Sequence, residues 1–417
     1  MGRRVATGIG AVLLGLIALA FAQAGDWAQH AFDQVIARWP YAPVVMTPAI
    51  FALVMYLTQK WSPQARGSGI PQVIAATRDP AETAKGPLIS LKTAAAKFAL
   101  TIAMLFAGGS VGREGPTVQI SAAVMVAVHR ALRVPISAGV LIAGGAAGVA
   151  AAFNTPLAGV AFAIEELAAA YEQRVAVLVM GAVMVAGLVS LGIAGDYVYF
   201  GAMRQTLTLG AMILACPVAG VLGGVAGGLF TRAVLSFAAP KHPLLTRLRS
   251  RPVLLAAGCG MVVALIGLAT GGDTWGTGYH TTRMLVEAEQ SSLWFGPAQA
   301  LATLATTLSG TPGGIFAPSL AVGAGVGNLL TPIFPGSPAG AIVLLGMVAY
   351  FTGVVRAPLT AVIIISETTA SRGMIIPLFA TALIADSVSS LISRDRLYHG
   401  LAKPFLREIA PAPRPAQ

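Results

Sequence analysis

Residues 112–124 read GREGPTVQISAAV, and residues 314–326 read GIFAPSLAVGAGV. Gly112 matches Gly314, Pro116 matches Pro318, and the apolar positions match throughout. The offset is 314 − 112 = 202 residues. It recurs downstream, where TPLAGVAFAIEE from 155 aligns with APLTAVIIISET from 357. Pro156 there pairs with Pro358, Leu157 with Leu359 and Glu165 with Glu367. Two separate matches at one offset mark a duplicated unit rather than a shared composition. A weaker third match sets GSG at 67–69 against GTG at 276–278, at an offset of 209.

The medium for this duplication follows from composition. Of 417 residues, 56% are hydrophobic and only 10% are charged, with a mean hydropathy of +0.77. Soluble domains carry roughly 25% charged residues, so the chain reads as an all-α polytopic membrane protein. Apolar stretches of helical length fall near 8–23, 42–58, 92–109, 119–132, 136–152, 156–170, 175–195, 208–236, 252–271, 292–309, 319–333, 340–355, 358–367 and 374–392. Several are shorter than the ~20 residues that cross a bilayer. The 48 Gly and 26 Pro also exceed what plain spanning helices need. Together these point to tilted, interrupted helices whose free backbone is shielded by protein. No long polar segment divides the chain. A single membrane domain is expected over 1–417, with repeat one at about 42–195 and repeat two at about 252–392. An inverted pair of repeats fits the short segments better than a parallel pair, and its substrate site lies where the repeats meet.

The net charge of +11 belongs to loops: Arg3 and Arg4, the 60–97 region, KHPLLTRLRSRP at 241–252 and SRDRLYHGLAKPFLRE near the end. Clustering of this kind is a topology signal rather than a nucleic-acid footprint. It predicts both termini in the cytoplasm of an inner (plasma) membrane protein, with 402–417 a cytoplasmic tail that ends in APAPRPAQ. The first residues, through AQA, resemble a secretory signal. An uncleaved first helix agrees better with a chain that is membrane-like throughout. Cys216 and Cys259 lie in apolar runs and imply neither disulfide nor metal.

Three interrupted segments share a plan of Gly followed by Pro at a helix start. They are Gly67, Ser68, Gly69 and Pro71; Gly112, Arg113, Glu114, Gly115 and Pro116; and Gly314 to Pro318. Each presents unpaired backbone N–H groups and a positive helix end. One such element alone reads equally well as a kink. Three on a duplicated scaffold make an anion site from partial charges, which bind weakly enough to release. A carboxylate at such an end, Glu114, is held by it when ionised and freed when protonated. Capping, or pairing with Arg113, is the plainer reading. Arg113 itself is expected to be structural, tied to carbonyls or a carboxylate. Glu165 and Glu166 end an apolar run; one of them is a candidate proton relay, or both simply close a helix. Tyr398 alone reads as an interfacial belt residue.

These motifs resemble the CLC chloride channel and transporter family from about residue 42 to 400, through GSGIP at 67–71, GREGP at 112–116 and GIFAP at 314–318. The resemblance implies a homodimer of two-repeat subunits with one pore each. It implies chloride contacts from the hydroxyls of Ser68 and Tyr398 and the N–H groups of Ile315 and Phe316. It makes Glu114 the external gate and Glu166 the internal proton-transfer residue of a chloride/proton antiporter. A passive voltage- or pH-gated chloride channel of the same fold is the alternative. Ser68 in place of Pro implies chloride over nitrate, and Ser in place of Met with an intact GREGP argues against the fluoride branch. Acidic residues that often follow GSGIP in bacterial exchangers are Gln72 and Ile74 here, which leaves Lys97 without its usual partner. No cytoplasmic nucleotide-binding domains, cofactor, metal or nucleic acid are expected; the partners are chloride, protons, the lipid bilayer and a second copy. An enzyme is not expected either. A hydrolase built on Ser68 would need a base, yet His30, His129, His242, His280 and His399 lie in or beside predicted loops.

Overall fold

Every apolar stretch becomes helix, and proline opens many of them. Pro43, Pro80, Pro156, Pro243, Pro252 and Pro358 each occupy a first helical position, where the missing N–H has no intrahelical acceptor in any case. The computed structural model describes residues 2–168, 173–195, 198–240 and 242–409, with only the backbone at 173–175 and 409. Among these residues, seven helices are long and apolar enough to cross a membrane. Shorter apolar helices, such as Ala138–Phe153 and Ala339–Val355, have nearly every side chain buried. They form the centre around which the longer, half-exposed helices stand.

The first helix, Gly2–Arg38, packs on Leu91–Phe106, Glu114–Ala131 and Ala138–Phe153. Its signal-like look is that of an apolar helix built into the core. The 156–170 stretch is not one helix. Pro156–Phe162 passes into a π-helical segment, Ala163–Leu167. Both Glu165 and Glu166 lie in this segment, and π segments are frequent at functional sites. The supposed tail also starts as structure. Leu397–Ile409 is helical and packs on Ile70–Ala76, while the final APAPRPAQ lies outside the described residues.

The duplication is visible as reciprocal contact. Gly112 N–H donates to Gly314 O and Gly314 N–H to Gly112 O, both at 2.7 Å. Glu165 accepts the N–H groups of Leu359 and Thr360 at 3.0 and 2.6 Å, together with the Thr360 hydroxyl at 2.7 Å. Its counterpart Glu367 accepts from Leu157 and Ala158 at 3.3 and 2.9 Å. When residue i touches j and the equivalent of j touches the equivalent of i, a two-fold relation is present. The weaker GSG/GTG match also takes the same shape. Gly69 and Gly278 both have positive φ, 106° and 71°, and both cap short helices.

Small residues let neighbouring helices approach closely. A Cβ on Gly227 would collide with Gly353 and Val354 backbone, and one on Gly327 with Val343. In a membrane, packing at this distance replaces the missing hydrophobic drive.

The two capping carboxylates give a graded prediction. Glu165→Ala removes three charge-assisted bonds and should cost about 2 kcal/mol or more. Glu367→Ala removes two longer ones and should cost less. Thermal unfolding of the detergent-solubilised protein checks the order, and equal losses would contradict it.

Candidate anion and proton site

Three backbone loops meet at one place. Gly313 N–H donates to Gly67 O at 3.1 Å, and the Gly112–Gly314 pair joins the other two. GSGIP, GREGP and GIFAP are therefore stitched together by main chain alone. From this junction three helices depart: Ile70–Ala76, Glu114–Ala131 and Phe316–Leu330. Pro71, Pro116 and Pro318 lie in their first turns, and the positive ends converge.

The glycines play two different parts. Gly67 and Gly69 adopt positive φ, 62° and 106°, as a tight turn requires. Gly112, Gly115 and Gly314 do not. They serve close approach: a Cβ on Gly115 would strike Ser68 Oγ, and one on Gly112 would strike the Glu114 carboxylate. The shared Gly-then-Pro plan thus holds in outline, while its glycines are chosen for space in two loops and for turning in one. Ser68 also falls one residue before the N-cap, which is Gly69.

Glu114 is 0% exposed and is the first residue of its helix. Its carboxylate lies against Gly112 and the Ala317 amide, and neither oxygen holds a regular hydrogen bond. Ser68 Oγ and the Tyr398 hydroxyl are also buried, and although the two side chains adjoin, neither makes a regular hydrogen bond. Buried polar atoms are seldom left so, and here four of them (two carboxylate oxygens and two hydroxyls) collect around the convergent helix ends. Phe316 completes the surroundings, its ring 5.8 Å from that of Tyr398 and 5.0 Å from that of Phe351. Ile315 and Phe316 supply the N–H groups that open the third helix.

Two cavities approach this junction. One of about 610 Å³ is lined by Ser68, Gly314 and Ile315, with Arg66 and Arg249 among its walls. The other, of about 810 Å³, is lined by Arg113, Asp26, Asp33, Asp273 and His280. Burial holds the Asp273 carboxyl above its ordinary range, with His280 opposing the shift. Glu114 lines neither space; it follows Arg113, which lines the second, and lies against Gly112, which is bonded to Gly314 of the first.

Arg113 is accounted for by its partners. It donates to Ala22 O at 2.6 Å and to Asp26 Oδ1 at 2.7 Å, while its side chain is only 10% exposed. Asp26, one of two acids in the first helix with Asp33, went unremarked in the sequence, although an ionisable residue in a largely apolar helix is a signal in itself. Lys97, fully buried, finds carbonyls instead of a carboxylate. It donates to Gly67 O at 2.7 Å and Arg66 O at 3.3 Å. Gln72 donates to Arg66 O at 2.7 Å and Gln64 O at 3.1 Å. With no acid at 72 or 74, both side chains brace the Ser68 loop.

Glu166 is buried, with a fully shielded side chain, and lies 3.3 Å from His399 Nδ1. Tyr398, the next residue in sequence, is the aromatic side chain placed among Ser68, Glu166 and Glu114. Glu165, by contrast, faces away and is committed to capping the Pro358–Thr368 helix. Of the two acids only Glu166 adjoins the junction. Among the described residues no cluster of His, Cys, Asp and Glu is suited to a metal ion.

Residues 50–390 match the family described as voltage gated chloride channel. The H(+)/Cl(−) exchange transporter ClcA of Yersinia pseudotuberculosis serotype IB is 30% identical over 428 residues, covering 94% of this chain and 85% of the relative. ClcA of Citrobacter koseri is 29% identical, covering 92% and 84%. Among solved structures, a slow cyanobacterial Cl−/H+ antiporter superposes with a TM-score of 0.82 at 24% identity, over 98% of this chain and 99% of that one. A eukaryotic CLC transporter superposes with a TM-score of 0.74 at 24% identity, over 97% and 74%. The duplicated helical scaffold, the three stitched loops and these likenesses lead to one conclusion: the chain is a multi-pass membrane protein that belongs to the voltage gated chloride channel family.

Proposed function

We propose that the protein exchanges chloride for protons across the membrane, one pore in each subunit of a homodimer. The observation that carries this reading is Glu114: a carboxylate sealed into the point where three helix N-termini meet, beside two buried hydroxyls that make no regular hydrogen bond. Ionised, it is held by the same positive ends and N–H groups that suit a halide. Protonated, it loses that attraction, and chloride takes its place among Ser68, Tyr398, Ile315 and Phe316. One group is thus both gate and proton acceptor, and the two ions must alternate. Glu166 passes protons between Glu114 and the opposite face. A chloride channel needs no second buried carboxylate, so Glu166 favours exchange. The exchange transporters among the relatives support the same choice.

In this reading the two repeats, about 42–195 and 252–392, form one membrane unit in an inner (plasma) membrane. Both termini face the cytoplasm, and the basic loops hold that orientation. The cavity bearing Ser68 and Arg66 then opens inward and the cavity bearing Arg113 opens outward.

Purified protein in liposomes tests the proposal. With a chloride gradient imposed, the account expects protons to move uphill against the chloride flow; chloride flux with no proton movement would leave only a channel. Glu114→Ala should keep anion flux and abolish the chloride-driven pH change, and retained coupling would remove Glu114 from the gate. Glu166→Gln should likewise reduce proton movement while chloride still passes. Ser68→Pro should raise coupled nitrate transport relative to chloride, read as the ratio of proton fluxes driven by the two anions.

A further inference from the structure

The exchange reading leaves open how a proton reaches Glu166, whose side chain is fully shielded from solvent. We propose that His399 is the proton relay that connects Glu166 to the water outside. The inference rests on the exchange mechanism above and extends it by one residue.

Three observations carry it. His399 Nδ1 lies 3.3 Å from Glu166 Oε1, close enough for a proton to pass between them. Nδ1 is itself buried, while 42% of the His399 side chain is exposed. The exposure therefore lies on the rest of the side chain, which includes Nε2. One nitrogen faces the buried carboxylate and the other belongs to the exposed part. The surroundings are aqueous in character: Asp395 and Lys403, paired at 2.6 Å, are each more than half exposed on the same stretch of chain.

The charged neighbours fit this role. Arg396, just before the helix that carries His399, donates to the Glu165 carbonyl at 3.4 Å. Glu165 is occupied as a helix cap and does not compete for the proton. Imidazole both accepts and donates protons near neutrality, one at each nitrogen. In the transfer, a hydronium proton binds the exposed nitrogen and gives imidazolium. The proton on the inward nitrogen then passes to Glu166, leaving a neutral carboxylic acid and a neutral ring. A half-turn of the ring, or proton exchange with water, resets the tautomer. No net charge stays in the wall.

The test uses the full-length protein in liposomes. His399→Gln keeps size and polarity but cannot carry a proton, and chloride-driven proton flux should fall by about tenfold or more. Millimolar imidazole on the Glu166 side should restore flux to the variant, which a merely structural loss would not allow. Combining His399→Gln with Glu166→Gln should lower proton flux no further than Glu166→Gln alone. Wild-type proton flux in His399→Gln, or a loss that imidazole does not repair, would overturn the relay while leaving exchange intact. A wild-type protein that moves no protons would overturn the exchange reading and the relay with it.

Discussion

Two backbone hydrogen bonds of 2.7 Å, exchanged between Gly112 and Gly314, hold the molecule's centre together. They join equivalent residues of the two repeats, so they lie on the two-fold relation that organises everything around them. They also leave no room for side chains. A Cβ at Gly314 would come within 2.9 Å of Gly112 O, and a Cβ at Gly112 would enter the Glu114 carboxylate. The site therefore exists because main chain can approach main chain here. The groups proposed to recognise the anion are N–H dipoles and hydroxyls, which no charged side chain could replace without holding an anion too firmly.

The price of such a junction is irregular backbone deep in a membrane protein, and the surrounding residues meet it bond by bond. Lys97 and Gln72 satisfy the carbonyls before Ser68. Arg113 reaches back to the first helix, to Ala22 and Asp26. Glu165 and Glu367 cap the opposing helix starts across the repeat boundary. Charges that looked out of place in an apolar chain are thus mostly structural. Glu114 and Glu166 differ from them in being buried without regular hydrogen bonds. That contrast sets apart the two acids proposed as gate and proton-transfer residue more clearly than burial does.

Much of this was legible in the sequence. The 202-residue offset located both the bridge and the reciprocal caps, because a two-fold contact joins equivalent positions. The apolar runs located the helices, since few other structures satisfy backbone in lipid. What the sequence could not convey was partnership across long separations. Asp26 and Arg113 are 87 residues apart, and Lys97 binds carbonyls that have no side-chain signature. The π segment was hidden because AFAIEEL is compatible with an unbroken helix, and Glu165 and Glu166 are told apart only by their distant partners, Leu359 and Thr360 for one and His399 for the other. His399 was read as a loop residue, because its meaning depends on Glu166, 233 positions earlier.

The central claim is that chloride and the Glu114 carboxylate compete for one place. Proton uptake on chloride binding measures this directly. When chloride is added to weakly buffered, purified protein, the anion should displace the ionised carboxylate and favour its protonation, so the solution pH should rise. Glu114→Gln should bind chloride with no uptake. An unchanged pH in the wild type, or equal uptake in the variant, would contradict the competition on which the account rests.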